Sequence, residues 1–334
     1  MTTQNKTSGT NRLFDPEIGA LLALLVFVCL VFGVSSPSFL SGTTFTSIAF
    51  QLPELGLLTL AMLMPIISNG FNLSVTFTAN LSGLAMAAVL HAFGGVDAGP
   101  FAIALGILAA LATGAAIGWL MGLIIATTGA HPILVSLSMM IFARGLGEFL
   151  TRGGDISGMP DAVQAIGQGT LLGIPAPVFV FVAAVLIWYV VMSRTRLGFA
   201  TRMIGSNLEA TRYSGISTHR SLTLIYTLSG LMCGLAGIVM LSRFNSVRVG
   251  HGEAYLLITV LGCFLGGVSP NGGFGRVLPV AISLVILQVI ASGLNSLGAN
   301  QHLATALWGG FLLLVMVVRS IWANGFPPFM FMRR

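Results

Sequence analysis

The sequence predicts an all-α polytopic membrane protein of about ten transmembrane helices with both termini cytoplasmic, and three observations carry that prediction. Of 334 residues, 55% are apolar and only 7% charged, against roughly 25% charged in soluble chains, so the polar material for a water-facing surface is missing. Apolar runs long enough to cross about 30 Å of hydrocarbon recur along the chain. The basic residues collect in alternate connections, as orientation in a membrane requires. A mean hydropathy of +0.96 and 42 Gly agree, because small residues let membrane helices approach closely.

Taken in order, a polar tail over residues 1–17 precedes a first apolar run, 18–34, which no A-x-A cleavage site follows; the run is expected to remain as a span. Further spans are expected near 52–68, 74–93, 100–128 and 132–150 and, past a polar connection at 151–171, near 172–192. A basic connection, 193–220, leads to spans near 221–241, 254–268, 277–298 and 302–322, and a tail, 323–334, follows. One transmembrane domain, 18–322, thus holds all the spans. The 74–93 run is unusually polar and 254–268 is short, so either can be tilted, broken or partly re-entrant.

Ten spans place both termini on one side. With the N-terminus inside, that side receives Lys6, Arg12, Arg194, Arg196, Arg202, Arg212, Arg220, Arg276, Arg319, Arg333 and Arg334, eleven of the 15 basic residues. Arg144, Arg152, Arg243 and Arg248 fall outside, Arg144 at or within its span. Five of the eleven lie in 193–220, which makes that connection cytoplasmic. The 151–171 connection is then external, either a docking surface or simply a solvated loop.

Several chemistries are excluded. Despite a pI near 9.9, the basic residues form no aromatic-interleaved stripe, so nucleic acid is not an expected partner. Cys29, Cys233 and Cys263 lie in apolar runs without CxxC spacing and read as packing residues; the five His form no HExxH pair, so no metal site is expected. No nucleophile and base constellation suggests an enzyme. Lys6 is the single lysine, and a P-loop, GxxxxGK[ST], needs a lysine that reaches the terminal phosphates. No cofactor is expected on this chain, and if ATP drives it, ATP and Mg are bound by another subunit.

The stretch Gly205-Ser206-Asn207-Leu208-Glu209-Ala210-Thr211-Arg212-Tyr213-Ser214-Gly215-Ile216 reads as a short capped helix with a Gly stop. Two turns of helix are marginal alone in water and need something to pack against. Either it is a basic loop beside lipid headgroups, or a helix that fits a cleft on a separate motor subunit and carries its motion into the spans.

Here the chain resembles the permease subunit of bacterial ATP-binding-cassette importers of the ribose, arabinose and galactose type. Glu209-Ala210 and Ser214-Gly215-Ile216 match that family's cytoplasmic coupling segment. Further matches are Asn69-Gly70-Phe71-Asn72-Leu73-Ser74, His131-Pro132-Ile133-Leu134-Val135-Ser136-Leu137, Ala143-Arg144-Gly145-Leu146, Gly153-Gly154-Asp155-Ile156-Ser157-Gly158-Met159-Pro160, and Gly266-Gly267 through Gly272-Gly273-Phe274-Gly275-Arg276. The resemblance covers about residues 37–320. It implies coupling to an ATPase subunit through Asn207, Glu209, Ala210, Thr211, Arg212, Ser214 and Gly215. It also implies a second permease copy, identical or paralogous, cytoplasmic ATPase subunits, and a periplasmic or lipid-anchored solute-binding protein, in a bacterial inner membrane. The expected cargo is a monosaccharide, polyol or similar hydroxylated solute. Permeases for branched-chain amino acids or nucleosides, and a secondary transporter without ATP, are the alternatives. The family usually carries Asp where this chain has Asn72, and Gly where it has Asn69. A carboxylate at membrane depth would be disfavoured by about 2.5 to 3.5 kcal/mol, so its absence argues against ion coupling there.

Neutral polar side chains are the candidates for a hydroxylated solute's path. Gln51, Glu54, Ser68, Asn69, Asn72, Ser74, Thr76, Thr78, Asn80 and Ser82 make the densest polar cluster at membrane depth, with Asn69, Asn72, Ser74, Thr76 and Asn80 the path candidates. The alternation of Ser74, Thr76, Thr78, Asn80 and Ser82 is unusual for a helix: they either line a cavity from an unwound stretch or hydrogen-bond one helix to another, at about 0.6 kcal/mol a pair. Glu54, after Pro53 at the outer start of its span, reads as an interfacial residue paired with water or an Arg.

Overall fold

The computed structural model describes residues 16–36, 39–299 and 301–324. Most of the expected tails, with Lys6, Arg12, Arg333 and Arg334, lies outside the described residues. Thirteen α-helices make up most of the described chain. They are α1 (Pro16–Ser35), α2 (Gly42–Ile67), α3 (Val75–Ala92), α4 (Pro100–Thr128), α5 (Pro132–Thr151), α6 (Asp161–Gln168) and α7 (Ala176–Arg194). The remainder are α8 (Arg196–Ser206), α9 (Leu208–Tyr213), α10 (Thr218–Phe244), α11 (Tyr255–Leu265), α12 (Val277–Ser296) and α13 (Gln301–Asn324). Two antiparallel bridges stand between them, Ile156–Ser157 with Ser246–Val247 and Thr170–Leu171 with Ile174–Pro175.

Eight helices, α1 to α5, α7, α10 and α12, are long and apolar enough to cross a membrane among the described residues. Two shorter apolar stretches, α11 and Ala306–Val317 of α13, fall where the remaining spans are expected. α11 has 11 residues, about 16 Å at 1.5 Å per residue, too short to cross alone. It is entered through the non-helical segment 245–254. Its first residue, Tyr255, meets Glu54, and Cys263 meets the Thr59 carbonyl. α11 therefore runs alongside α2 in the same direction from a point twelve residues inside it, and the 245–254 backbone reaches that depth without helix.

Two sequence expectations need correction. The 74–93 run is not unwound: α3 is one continuous helix. Its alternating hydroxyl and amide groups do point to several faces, and all find protein because α3 is enclosed by α2, α4, α5 and α10. Glu54 is not at the start of its helix, which begins at Gly42 and carries Glu54 into the interior.

Close backbone contact holds the centre together. Gly114, Gly118 and Gly122 of α4 face Thr223, Tyr226, Gly230 and Gly234 of α10; an added Cβ on Gly118 would strike the Tyr226 carbonyl, and one on Gly122 would lie 2.7 Å from the Thr223 Cα. Gly56 likewise leaves room for the Phe181 ring. Such small residues gain dispersion contact where no hydrophobic force drives helices together in lipid.

Packing sorts the connections into two ends. One end gathers the start of α1, tied by the Glu17 carboxylate to Arg276 at 2.6 Å, with the α2–α3 turn, the start of α5, and α8, α9 and the 266–276 loop. The other gathers the end of α5, residues 152–160, α6, and the segment after α10.

Replacing Gly118 by Val should overpack the α4–α10 contact by about 1 to 3 kcal/mol or more, whereas Gly310→Ala, with nothing near its added methyl, should be neutral. Thermal unfolding of the purified chain in detergent checks this; equal melting temperatures for the two variants would refute the packing argument.

Candidate functional site

The first element of the site starts from a missing proton. Pro65 inside α2 has no N–H, so the carbonyl four residues back, that of Ala61, loses its helical donor. The Ser229 hydroxyl of α10 supplies one at 2.7 Å. Having spent its only proton, Ser229 Oγ accepts from Asn72 Nδ2 at 2.8 Å. Asn72 Oδ1 in turn accepts from the Ser74 N–H at 3.1 Å and the Ser74 hydroxyl at 2.7 Å, opening α3. Thr78 donates to Ser74 Oγ at 3.2 Å. A residue at 72 must both donate and accept here, which an amide does and an ionised carboxylate does not.

Asn72, Ser74, Thr76, Thr78 and Asn80 are all buried within this one chain. Asn80 Nδ2 donates to the carbonyls of Val249 and His251 at 2.6 and 2.8 Å, so it pins the non-helical segment that feeds α11. Thr76 Oγ1 is buried and meets no hydrogen-bond partner. Asn69 is separate: exposed, at φ 62°, it forms the turn after α2.

The second element is the α8–α9 elbow. Thr195 caps α8 by accepting from the Gly198 N–H, and Asn207 caps α9 by accepting from the Ala210 N–H at 2.9 Å. Gly215, at φ 80°, stops α9 where other residues would be strained. Of the expected coupling residues only Thr211 is buried; Asn207, Glu209, Ala210, Arg212, Ser214 and Gly215 are exposed. Leu208 and Tyr213 join them, Tyr213 at 89% exposure. The base of the elbow is the opposite, a junction of backbones. An added Cβ on Gly205 would strike the Ile67 carbonyl, that carbonyl accepts from the Gly273 N–H at 2.9 Å, and a Cβ on Gly272 would lie 2.8 Å from the Asn69 nitrogen. Three stretches distant in sequence therefore meet at the end of α2 through close backbone contact, with the Ser206 hydroxyl set against Gly273.

The third element, at the other end, was not foreseen as a site. A cavity of about 610 Å³ opens between α5, residues 151–154 and the 248–253 segment. Arg144 bridges Glu148 at 2.9 Å and Glu253 at 3.4 Å along its rim. At the same end, Glu54 is wholly buried and pairs with Arg243 Nη1 at 2.7 Å, while the Tyr255 hydroxyl donates to its other oxygen at 3.4 Å. Of the partners expected for Glu54, water or an Arg, the structure supplies an arginine, Arg243, with the carboxylate enclosed by protein. Among the described residues no group of three or more His, Cys, Asp or Glu is placed to hold a metal ion.

Comparison with known proteins agrees with this architecture. Residues 44–318 match the family described as branched-chain amino acid transport system / permease component. The chain is 32% identical over 330 residues to the ribose import permease protein RbsC of Escherichia coli K12, covering 95% of this chain and 98% of that one. It is 31% identical over 308 residues to the autoinducer 2 import system permease protein LsrD of Yersinia enterocolitica, covering 90% and 91%. No solved structure matches it.

Removing Ser229 or Asn72 should leave a buried group unpaired and cost about 1 kcal/mol each. Ser229→Ala and Asn72→Ala should not add, because both break one chain of bonds. A double-mutant cycle on unfolding in detergent checks this, and full additivity would show that the two side chains act independently.

Proposed function

This chain belongs to the branched-chain amino acid transport system / permease component family of ATP-binding-cassette permeases, and from that premise we propose that it is the membrane subunit of an ATP-driven importer for a monosaccharide, polyol or similar hydroxylated solute. As a permease component it is a multi-pass membrane protein and not itself an ATPase. The ribose permease among its relatives supports the hydroxylated cargo; the family's description keeps branched-chain amino acids as the second reading.

The observation that carries the reading is the elbow. α9 presents Leu208, Glu209, Arg212 and Tyr213 outward on a helix of six residues, too short to persist without a partner surface. In this reading that partner is a cytoplasmic ATPase subunit. The close junction of Gly205, Ile67 and Gly273 then passes a displacement of α9 to the end of α2 through backbone contact. The elbow end is cytoplasmic, consistent with Arg194, Arg196, Arg202, Arg212, Arg220 and Arg276 gathering there. A solute-binding protein docks at the opposite end, and a second permease, identical or paralogous, completes the path.

The polar cluster on α3 then acts in support. Asn72, Ser74 and Asn80 spend their hydrogen bonds inside the chain, which fits tying α2, α3, α10 and the 245–254 segment together better than meeting solute. Asn69 shapes the turn beside the coupling junction.

Glu209→Ala and Gly215→Val should each uncouple ATP hydrolysis from uptake while leaving the permease in the membrane at its normal level. Solute uptake and ATPase activity, measured together in vesicles holding the assembled importer, check this; unchanged transport by both variants would overturn the assignment.

A further inference from the structure

The cleft at the end of α5 holds charges where an apolar helix ought to have none. Arg144 lies seven residues before the end of α5, about 10 Å along the helix axis, yet its side chain is 50% exposed, as is that of Glu148. Half-exposed charges at that depth do not face lipid; they face water or another protein surface. Across from them stand Glu253, 59% exposed, and Arg248, on backbone that reaches membrane depth without helix, a conformation tolerated only where it lines a cavity or is enclosed by protein. The floor is built, since Asn80 holds the Val249 and His251 carbonyls, and Val249 packs against Gly147 of α5.

We propose that this cleft is a solute subsite on the permease itself, selective for neutral polyhydroxylated molecules. Its size, about 610 Å³, suits a small ligand. Its lining carries both signs: Arg144 and Arg248 oppose Glu148 and Glu253, and Arg248 also pairs with Asp155, outside the lining, at 3.7 Å. Carboxylates accept from hydroxyls and guanidinium groups donate to their oxygens, so vicinal hydroxyls satisfy both at once. A branched apolar side chain would find only Val249 among the lining side chains and would strip water from the charged groups without replacing its hydrogen bonds. An anion would meet Glu148 and Glu253. The inference rests on the importer reading above and deepens it, by locating where the permease meets its cargo and which class of cargo it accepts.

The test uses the full chain. Thr151, on the cleft wall, is replaced by Cys, and right-side-out membrane vesicles without any binding protein are treated with a membrane-impermeant maleimide. Thr151→Cys should label, and ribose, galactose or xylitol at high concentration should slow labelling where leucine does not. No labelling, or labelling indifferent to all three, would overturn the subsite whatever the protein carries. In cells holding the assembled importer, Glu148→Gln and Glu253→Gln should lower import of whichever of these three solutes is taken up by about tenfold or more, as expected for losing a charge-assisted hydrogen bond, with Glu253→Asp retaining part of the rate. Import at the wild-type rate by both Gln variants would remove the subsite and leave the importer reading intact. Import of leucine and none of the three would overturn the importer's cargo and the subsite chemistry together. A higher requirement for binding protein, without protection by solute, would show a docking surface in place of the subsite.

Discussion

Pro65 sits in the most enclosed of the long helices, α2, which is buried from Pro53 through Ile67, and its missing N–H sets the terms for everything packed around it. The orphaned Ala61 carbonyl has no water to turn to, so a neighbouring helix must supply a donor. Ser229 does so from α10, which fixes how α10 lies against α2. Ser229 then needs a donor of its own, and Asn72 provides it, fixing where α3 begins. Three helices are aligned by one chain of bonds that starts from a proline. The Asn in place of an acid at 72 follows from the direction in which protons run along that chain.

Glycine performs the complementary task at the two places where motion or close approach matters. Between α4 and α10 it lets backbones touch, which makes a stiff central pair. At the elbow it does the same for Gly205, Ile67 and Gly273, so the exposed α9 stands on a base of close backbone contacts. The proposed coupling role calls for both features, a surface that a partner can grip and a root that does not yield.

The two ends differ in chemistry as well as shape. The elbow end is basic and joins through close backbone contacts and the Glu17–Arg276 pair; the far end pairs acids with bases around an open cleft and holds the buried Glu54 with Arg243. Asn80 links the two halves of this description, for it belongs to the same polar ladder as Asn72 and yet supports the floor of the cleft. Polar groups along α3 thus serve as struts, and the open polar surface lies elsewhere.

Much of this was legible in the chain as written. Few charges, repeated apolar runs and the placement of arginines determine a helical membrane protein, and the N-cap of Asn207 with the stop at Gly215 determines α9, because caps and spans depend on residues near each other in sequence. The solitary Lys6 already excluded a P-loop. What local pattern could not show was partnership across distance. Alternating Ser, Thr and Asn in α3 look alike whether they line a path or face other helices; only the enclosure of α3 shows that they are buried within the chain and that most of them, though not Thr76, are hydrogen-bonded there. Glu54 looked interfacial because its helix was expected to start ten residues too late. The cleft draws Arg144, Gly153, Arg248 and Glu253 from three stretches up to 109 residues apart, and the one hint was an arginine inside an apolar run. Composition and spacing determine what each segment is; which polar group meets which, and therefore what is left open for a solute, is decided only when the helices pack.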